Sequence, residues 1–459
     1  MFGVAGSAGQ MEGAIADEGR TPSLLELPIG LGQSSETNFV ANEFYYLYKQ
    51  DIERAAAMGV EYFAFSISWT RIVPFVAPGS PVNQPGLDHY SDMVDFIIEK
   101  GMKPAVTLYH FDTPLQFYAN LSQRYDSHFG YLNGGYDNTT FTDAFVYYGK
   151  VVMSRLADRV PIWITWNEPL LFASNGQSID TVIKSHASLY HFYRDEIKGR
   201  GKLSLKLSVT MGMPQDPLNS SHVDAANHYN DLQAATFANP LMLGIDFPES
   251  YKKTVTDFIP LTDNDLAYLG GTADFFAIDA YTSVAVTPPS TTTINECAAN
   301  VTDPLYPWCI EQSVIDATGW NVGYRSQSYV YMTPLYLRTL LNYVWNTFRK
   351  PVFITEIGFP VFGEAQMELA DQLFDTPRSE YYLSYLSETL KAIWEDGVDV
   401  WGAFAWSFAD NWEFGTYSEQ FGLQVVNRTT QERYYKRSFF DVVDFVASRR
   451  KQRGSCKGR

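Results

Sequence analysis

The chain has 459 residues, 46% of them hydrophobic and 15% aromatic, with 34 Lys and Arg set against 52 Asp and Glu for a formal charge of -18. Such a charge repels phosphate backbones and anionic lipid, which excludes nucleic acid and membrane surfaces as partners and favours neutral small molecules. No stretch approaches the roughly 18 consecutive apolar residues of a membrane span, while the 10 Trp and 30 Tyr exceed ordinary packing needs and suit surfaces that stack on sugars.

Short β-rich runs alternate along the chain with longer amphipathic runs, the pattern of parallel βα units. Strands are predicted at 2–5, 62–66, 103–109, 162–166, 204–210, 275–280, 352–355 and 400–405, and helices at 51–58, 87–100, 144–157, 335–348 and 378–394. Eight such units close into a (β/α)8 barrel more readily than they extend as an open sheet. A doubly wound sheet is the alternative, and no Gly-rich nucleotide fingerprint supports it. The Pro/Thr-rich stretch 287–293 reads as a long loop after the sixth strand, part of a variable segment reaching 321. Residues 1–448 are read as one catalytic domain and 449–459 as a frayed basic tail. The first apolar run starts directly after Met1, as though a strand had been entered partway, so an upstream segment is expected.

Cys297 and Cys309 lie close together in a loop-like stretch, and Cys456 stands alone in the basic tail. The pattern suggests one loop disulfide and one free thiol, and the spacing is equally consistent with a reduced pair; too few ligands cluster there for a metal. Sequons at Asn120, Asn138, Asn219, Asn300 and Asn427 lean toward secretion.

In a barrel of this kind the chemistry sits at the carboxyl ends of the strands. Strand three runs into Tyr109-His-Phe-Asp-Thr-Pro114, strand four into Thr165-Trp-Asn-Glu-Pro169 and strand seven into Ile354-Thr-Glu-Ile-Gly358. A carboxylate buried at such a rim is costly unless paired or used, so Glu168 and Glu356 stand out. The bland alternative is that each caps loop backbone amides.

These strings, with Gln10-Met-Glu-Gly-Ala14, Phe65-Ser-Ile-Ser-Trp69 and Trp406-Ser-Phe-Ala-Asp-Asn-Trp-Glu-Phe414, occur in the order found in glycoside hydrolase family 1. The chain resembles that family from Gln10 to Leu423, with a flavour of its extracellular fungal β-glucosidases. The resemblance implies retaining double displacement through two carboxyl groups about 5 Å apart, with no metal or organic cofactor. Glu168 is then the acid/base and Glu356 the nucleophile. Asn167 matches the residue that bonds the sugar 2-hydroxyl, Gln10, His110 and Glu413 those that bind the other hydroxyls, Trp406 the ring beneath the sugar, and Tyr281 a tyrosine bonded to the nucleophile. Glu413 also argues against sugars carrying a 6-phosphate. His89, His128, His186, His191, His222 and His228 keep ordinary structural readings.

The resemblance breaks at four places. Ala64 stands where the family has an arginine that steadies the nucleophile, Asp279 where Asn is usual, Phe414, itself a candidate substrate-binding residue, in place of a tryptophan, and Ile357 in place of the Asn after the nucleophile. Losing a cation and gaining a carboxylate predicts a nucleophile that titrates higher, a protonated member of the Asp279 and Glu356 pair, or a substitute cation. The leading expectation is a retaining β-glucosidase acting on small β-glucosides or cello-oligosaccharides. A sugar-binding pseudoenzyme and a transglycosidase are the competing readings.

Overall fold

A computed structural model describes residues 1–34, 36–118 and 135–455, with side chains through 449. Its centre is a closed barrel of eight parallel strands: β1 Phe2–Ala5, β2 Tyr62–Ser66, β3 Lys103–Tyr109, β4 Ile162–Asn167, β5 Lys202–Ser208, β6 Phe276–Asp279, β7 Val352–Ile357 and β8 Val400–Trp406. Neighbours in sequence are neighbours in the sheet, and β1 closes the ring by pairing with β2 on one side and β8 on the other. Among the described residues, the eight longest helices lie in the connections and after β8: α1 Phe44–Ala57, α2 Gln84–Glu99, α3 Phe141–Leu156, α4 Gly176–His191, α5 Ser220–Ala238, α6 Pro334–Phe348, α7 Thr376–Trp394 and α8 Arg437–Ser455.

The strands are buried on both faces, as every residue of β4 and β7 shows. One face meets the barrel interior and the other the helices, which is why β4 and β7 read as nearly continuous apolar runs, while β5 alternates Leu with Lys and Ser. The helices found from sequence carry an apolar stripe at helical spacing: α2 buries Leu87, Tyr90, Met93, Val94 and Ile97, and α3 buries Phe141, Ala144, Phe145, Tyr148 and Val152. Three tyrosines on α7 anchor the rim. Tyr381 and Tyr385 donate to the Tyr281 carbonyl at 2.8 and 3.0 Å, and Tyr382 donates to the carbonyls of Ile357 and Trp406 at 3.2 and 2.9 Å. The strand ends that carry the sixth, seventh and eighth rim positions are thereby tied to one rigid element.

Several elements differ from the sequence reading. Helix α1 starts at Phe44, seven residues before the predicted 51. The sequence reading does not contain α4, α5 or α8. α5 buries Ala225, Ala226, Tyr229, Asn230, Leu232 and Gln233 through Ala238, nearly all round its circumference, so no single apolar stripe marks it. Strand β5 spans 202–208, not 204–210. The β-prone run continues past its end into a second strand, Met211–Pro214, and periodicity alone does not separate the two.

The segment read as one long loop is built. Ser283–Thr287 pairs with Met211–Pro214 and with Glu311–Ser313 in a small sheet, and Ile294–Ala298 is helical. Cys297 and Cys309, both buried, are joined in a disulfide. The basic segment after 448 belongs to α8 as far as Ser455. Asn120, His128 and Cys456 lie outside the described residues.

Gly358, directly after β7, faces the Trp406 carbonyl so closely that an added Cβ would lie 2.0 Å from its oxygen. Gly358→Ala is expected to cost about 1–3 kcal/mol through overpacking, seen as a lowered thermal midpoint. Gly30→Ala, with nothing within 4 Å of the new Cβ, is the control expected to leave it unchanged.

Candidate active site

A cavity of about 500 Å³ opens at the carboxyl ends of the barrel strands, bounded by His110, Glu168, Tyr281, Glu356, Trp406, Glu413 and Phe414, with Phe111, Phe172, Tyr329 and Phe421 adding aromatic wall. Seven of the nine residues expected to catalyse or bind substrate therefore line one space. The other two stand just behind it. Gln10 donates to Glu413 at 3.0 Å while its own oxygen accepts from Ser7 at 2.6 Å. Asn167 is 1% exposed, and neither its amide oxygen nor its nitrogen has a hydrogen-bond partner among the described residues.

Glu168 closes β4 with a left-handed backbone, φ 44°. A non-glycine residue in that region is strained, and such positions gather at functional sites. Its N–H donates to the Lys206 carbonyl at 2.9 Å, which locks the turn to β5. Burial, then the charge of Glu356, push the Glu168 carboxyl up to about 8, with Lys206 opposing. Glu356, 3% exposed, lies opposite Asp279 in the β6 and β7 register. One carboxylate oxygen from each of Glu168, Asp279 and Glu356 falls within 4.8 Å of the other two.

Both oxygens of Glu356 are held. Oε2 accepts from the Tyr281 hydroxyl at 2.7 Å, the contact expected of that tyrosine, and Oε1 pairs with the Lys206 ammonium. Lys206 Nζ is also 3.7 Å from Asp279 Oδ2, and the residue is 5% exposed. Burial disfavours its charge, but the carboxylates of Asp279 and Glu356 outweigh this and hold its pKa above the ordinary lysine value. Burial and the Glu356 charge push the Asp279 carboxyl well above its ordinary range. Sequence reasoning missed Lys206. The one signal was a lysine at an interior place of a β-prone run, Leu-Ser-Leu-Lys-Leu-Ser, where only a paired charge is tolerable.

In the same cavity Trp406 stacks on His110, centroids 5.4 Å apart and planes 4° from parallel, and its indole N–H donates to Glu413 at 3.2 Å. Burial, reinforced by Lys206, drives the His110 pKa well below its usual value, so the imidazole is neutral. Burial pushes the Glu413 carboxyl up against the bonds from Trp406 and Gln10. Phe414 packs edge-on against Phe111 and presents no donor. Ile357 is fully buried, its carbonyl tied to Tyr382.

The five described histidines outside the cavity make packing and backbone contacts. His186 bonds Thr165 Oγ1 and the Thr272 carbonyl, His191 and His228 meet the carbonyls of Tyr268 and Trp308, His222 accepts from the Asp216 N–H, and His89 stacks on Tyr45.

Residues 1–450 match the sequence model of glycosyl hydrolase family 1. The chain is 31% identical to β-glucosidase 1B of Phanerodontia chrysosporium, covering 95% of this chain and 83% of that one, and 31% identical to β-glucosidase 40 of Arabidopsis thaliana, covering 98% and 92%. Among solved structures it superposes on β-glucosidase 2 of the fungus Trichoderma reesei in complex with Tris at a TM-score of 0.88, with 28% identity and 98% of each chain covered. The family 1 β-glucosidase of the fungus Humicola insolens in complex with glucose gives 0.87 at 27% identity, over 97% of each chain. A full-length family match, on a closed barrel whose rim gathers the expected carboxylates and sugar-facing side chains, leads to one conclusion: this chain belongs to glycosyl hydrolase family 1.

Proposed function

We propose that the chain is a retaining β-glucosidase releasing terminal non-reducing β-D-glucosyl residues, with Glu356 as nucleophile and Glu168 as acid/base. The observation that carries this is two carboxyl groups in contact range of one another but in opposed electrostatic settings. Glu356 is engaged by an ammonium and a phenol, which suits a carboxylate that attacks. Glu168 is burdened by burial and by the neighbouring negative charge, which suits an acid that keeps its proton.

In the first half-reaction a Glu356 oxygen bonds to the anomeric carbon as the glycosidic bond breaks, and Glu168 passes its proton to the departing oxygen. Esterified Glu356 no longer carries charge, so the Glu168 pKa drops and its carboxylate takes a proton from the water that hydrolyses the glycosyl-enzyme. Asn167, buried with an unpartnered amide, suits the 2-hydroxyl contact that tightens in the transition state. Gln10, His110, Glu413 and the face of Trp406 suit the remaining hydroxyls and the sugar ring. None of the described residues lining the cavity is Lys or Arg, which favours an unphosphorylated sugar. Small β-glucosides and cello-oligosaccharides fit this site, and the two-carboxylate reaction needs no cofactor. Residues 1–448 act as one catalytic unit.

The pairing of Lys206 with Glu356 returns a cation to the nucleophile and weakens the pseudoenzyme reading that Ala64 motivated. Secretion with N-glycosylation follows from the disulfide and from sequons on accessible turns. At Asn219 and Asn300 the Asn oxygen accepts from the Ser221 and Thr302 hydroxyls at the exposed surface.

Incubation with a 2-deoxy-2-fluoro-β-glucoside bearing a good leaving group is expected to leave a stable glycosyl adduct on Glu356, located by peptide mapping. An unmodified protein, or an adduct elsewhere, would sink the assignment. Glu168→Gln is expected to cut kcat/KM by about 10²–10⁴-fold on glucosides with poor leaving groups, and far less on activated aryl glucosides. Because Glu168 must be protonated to donate, wild-type kcat/KM is expected to fall as pH rises through about 8. The same raised carboxyl opposes folding: the unfolded chain loses this proton near the ordinary glutamate value of 4.5, the folded one near 8, so stability declines with pH between the two. Glu168→Gln is therefore expected to melt above wild type at pH values of about 8.

A further inference from the structure

We infer that Lys206 is the positioning residue of the nucleophile, an ammonium delivered from β5 that orients and charge-balances Glu356 in place of a cation at position 64. The inference rests on the reading of Glu356 as nucleophile. It starts from the geometry of β5, where Lys206 lies opposite Asn167 in the barrel register and its carbonyl accepts the Glu168 N–H. Its side chain crosses to Glu356 Oε1 and approaches Asp279 Oδ2 at 3.7 Å. One residue therefore links the strand carrying the acid to the carboxylate that attacks.

Asp279 fits as the tether of that ammonium. Its Oδ1 accepts from the Thr355 hydroxyl at 2.7 Å, while Oδ2 has no hydrogen-bond partner among the described residues and faces Lys206. Esterification of Glu356 removes a charge that, with burial, raises the Asp279 pKa, and so favours an ionised Asp279 opposite the ammonium through the life of the glycosyl-enzyme. The room for this arrangement comes from small side chains. Ala5, Ala64 and Ala105, adjacent in register on β1, β2 and β3, line a cavity of about 20 Å³ that Lys206 also borders. The chain thus keeps one cation in the barrel interior beside its nucleophile, but roots it on β5.

Rates of trapping by the fluoroglucoside and pH profiles of kcat/KM, measured for wild type, Lys206→Met and Lys206→Arg, test the inference. Lys206→Met is expected to lower kcat and the trapping rate by about 10²-fold with KM little changed, and to move the acidic limb of the profile to higher pH. Lys206→Arg, which keeps the charge, is expected to restore part of the rate and the position of the limb. A Lys206→Met enzyme with wild-type trapping and an unmoved limb would overturn the inference. Thermal midpoints of Lys206→Met, Glu356→Gln and the double variant supply a readout free of turnover, expected to be non-additive because each single change strands the other partner. Additive shifts would overturn the pairing. Failure of wild type to react with any β-glycoside or fluoroglycoside, with the midpoints still non-additive, would instead count against the glycosidase reading.

Discussion

Three carboxylates share a few ångströms at the rim of a closed barrel, where low dielectric makes each uncompensated charge expensive. The Lys206 ammonium offsets that crowding, and the other properties of the site follow from how unevenly it does so. Glu356 receives the ammonium directly together with the Tyr281 phenol. Asp279 receives it at longer range, and Glu168 is left to burial and repulsion, which keep its proton in place. Separating two carboxylic acids into an attacking anion and a proton donor requires an asymmetric field of this sort.

Holding such a field steady demands rigid strand ends. The tyrosine row on α7 grips the backbone after β6, β7 and β8, and behind it Arg378 and Lys436 share Glu364, with Asp375 and Asp410 as further partners, all buried. This internal ion network lies outside the cavity and keeps the loops after β7 and β8 from drifting. Precise placement of reacting groups depends on such packed support as much as on the groups themselves.

The rim motifs were legible because they sit where a strand ends and a functional group must appear, so strings such as Thr-Trp-Asn-Glu-Pro combine an apolar run with polar residues that have no packing reason to be there. All eight strand positions were likewise plain within two residues, and the five helices read from the sequence showed one buried stripe. Helix α5 was invisible because it is covered nearly all round, and the layer over 287–321 because its strands are short and its disulfide joins residues whose spacing is equally consistent with free thiols.

The chain's eight-unit alternation and its two rim glutamates were determined by the sequence alone, since each is a local pattern of residue types, and the missing cation at Ala64 showed only through the resemblance to glycoside hydrolase family 1. Only the tertiary structure decided what answered that missing cation. Lys206 is 142 residues from Ala64 and 150 from Glu356 in the chain. It reaches Glu356 because β5 and β7 flank β6 in the barrel order, and it borders the same small cavity as Ala64 because the closed sheet turns β2 and β5 toward one interior; no local pattern encodes contacts between strands so far apart in the chain.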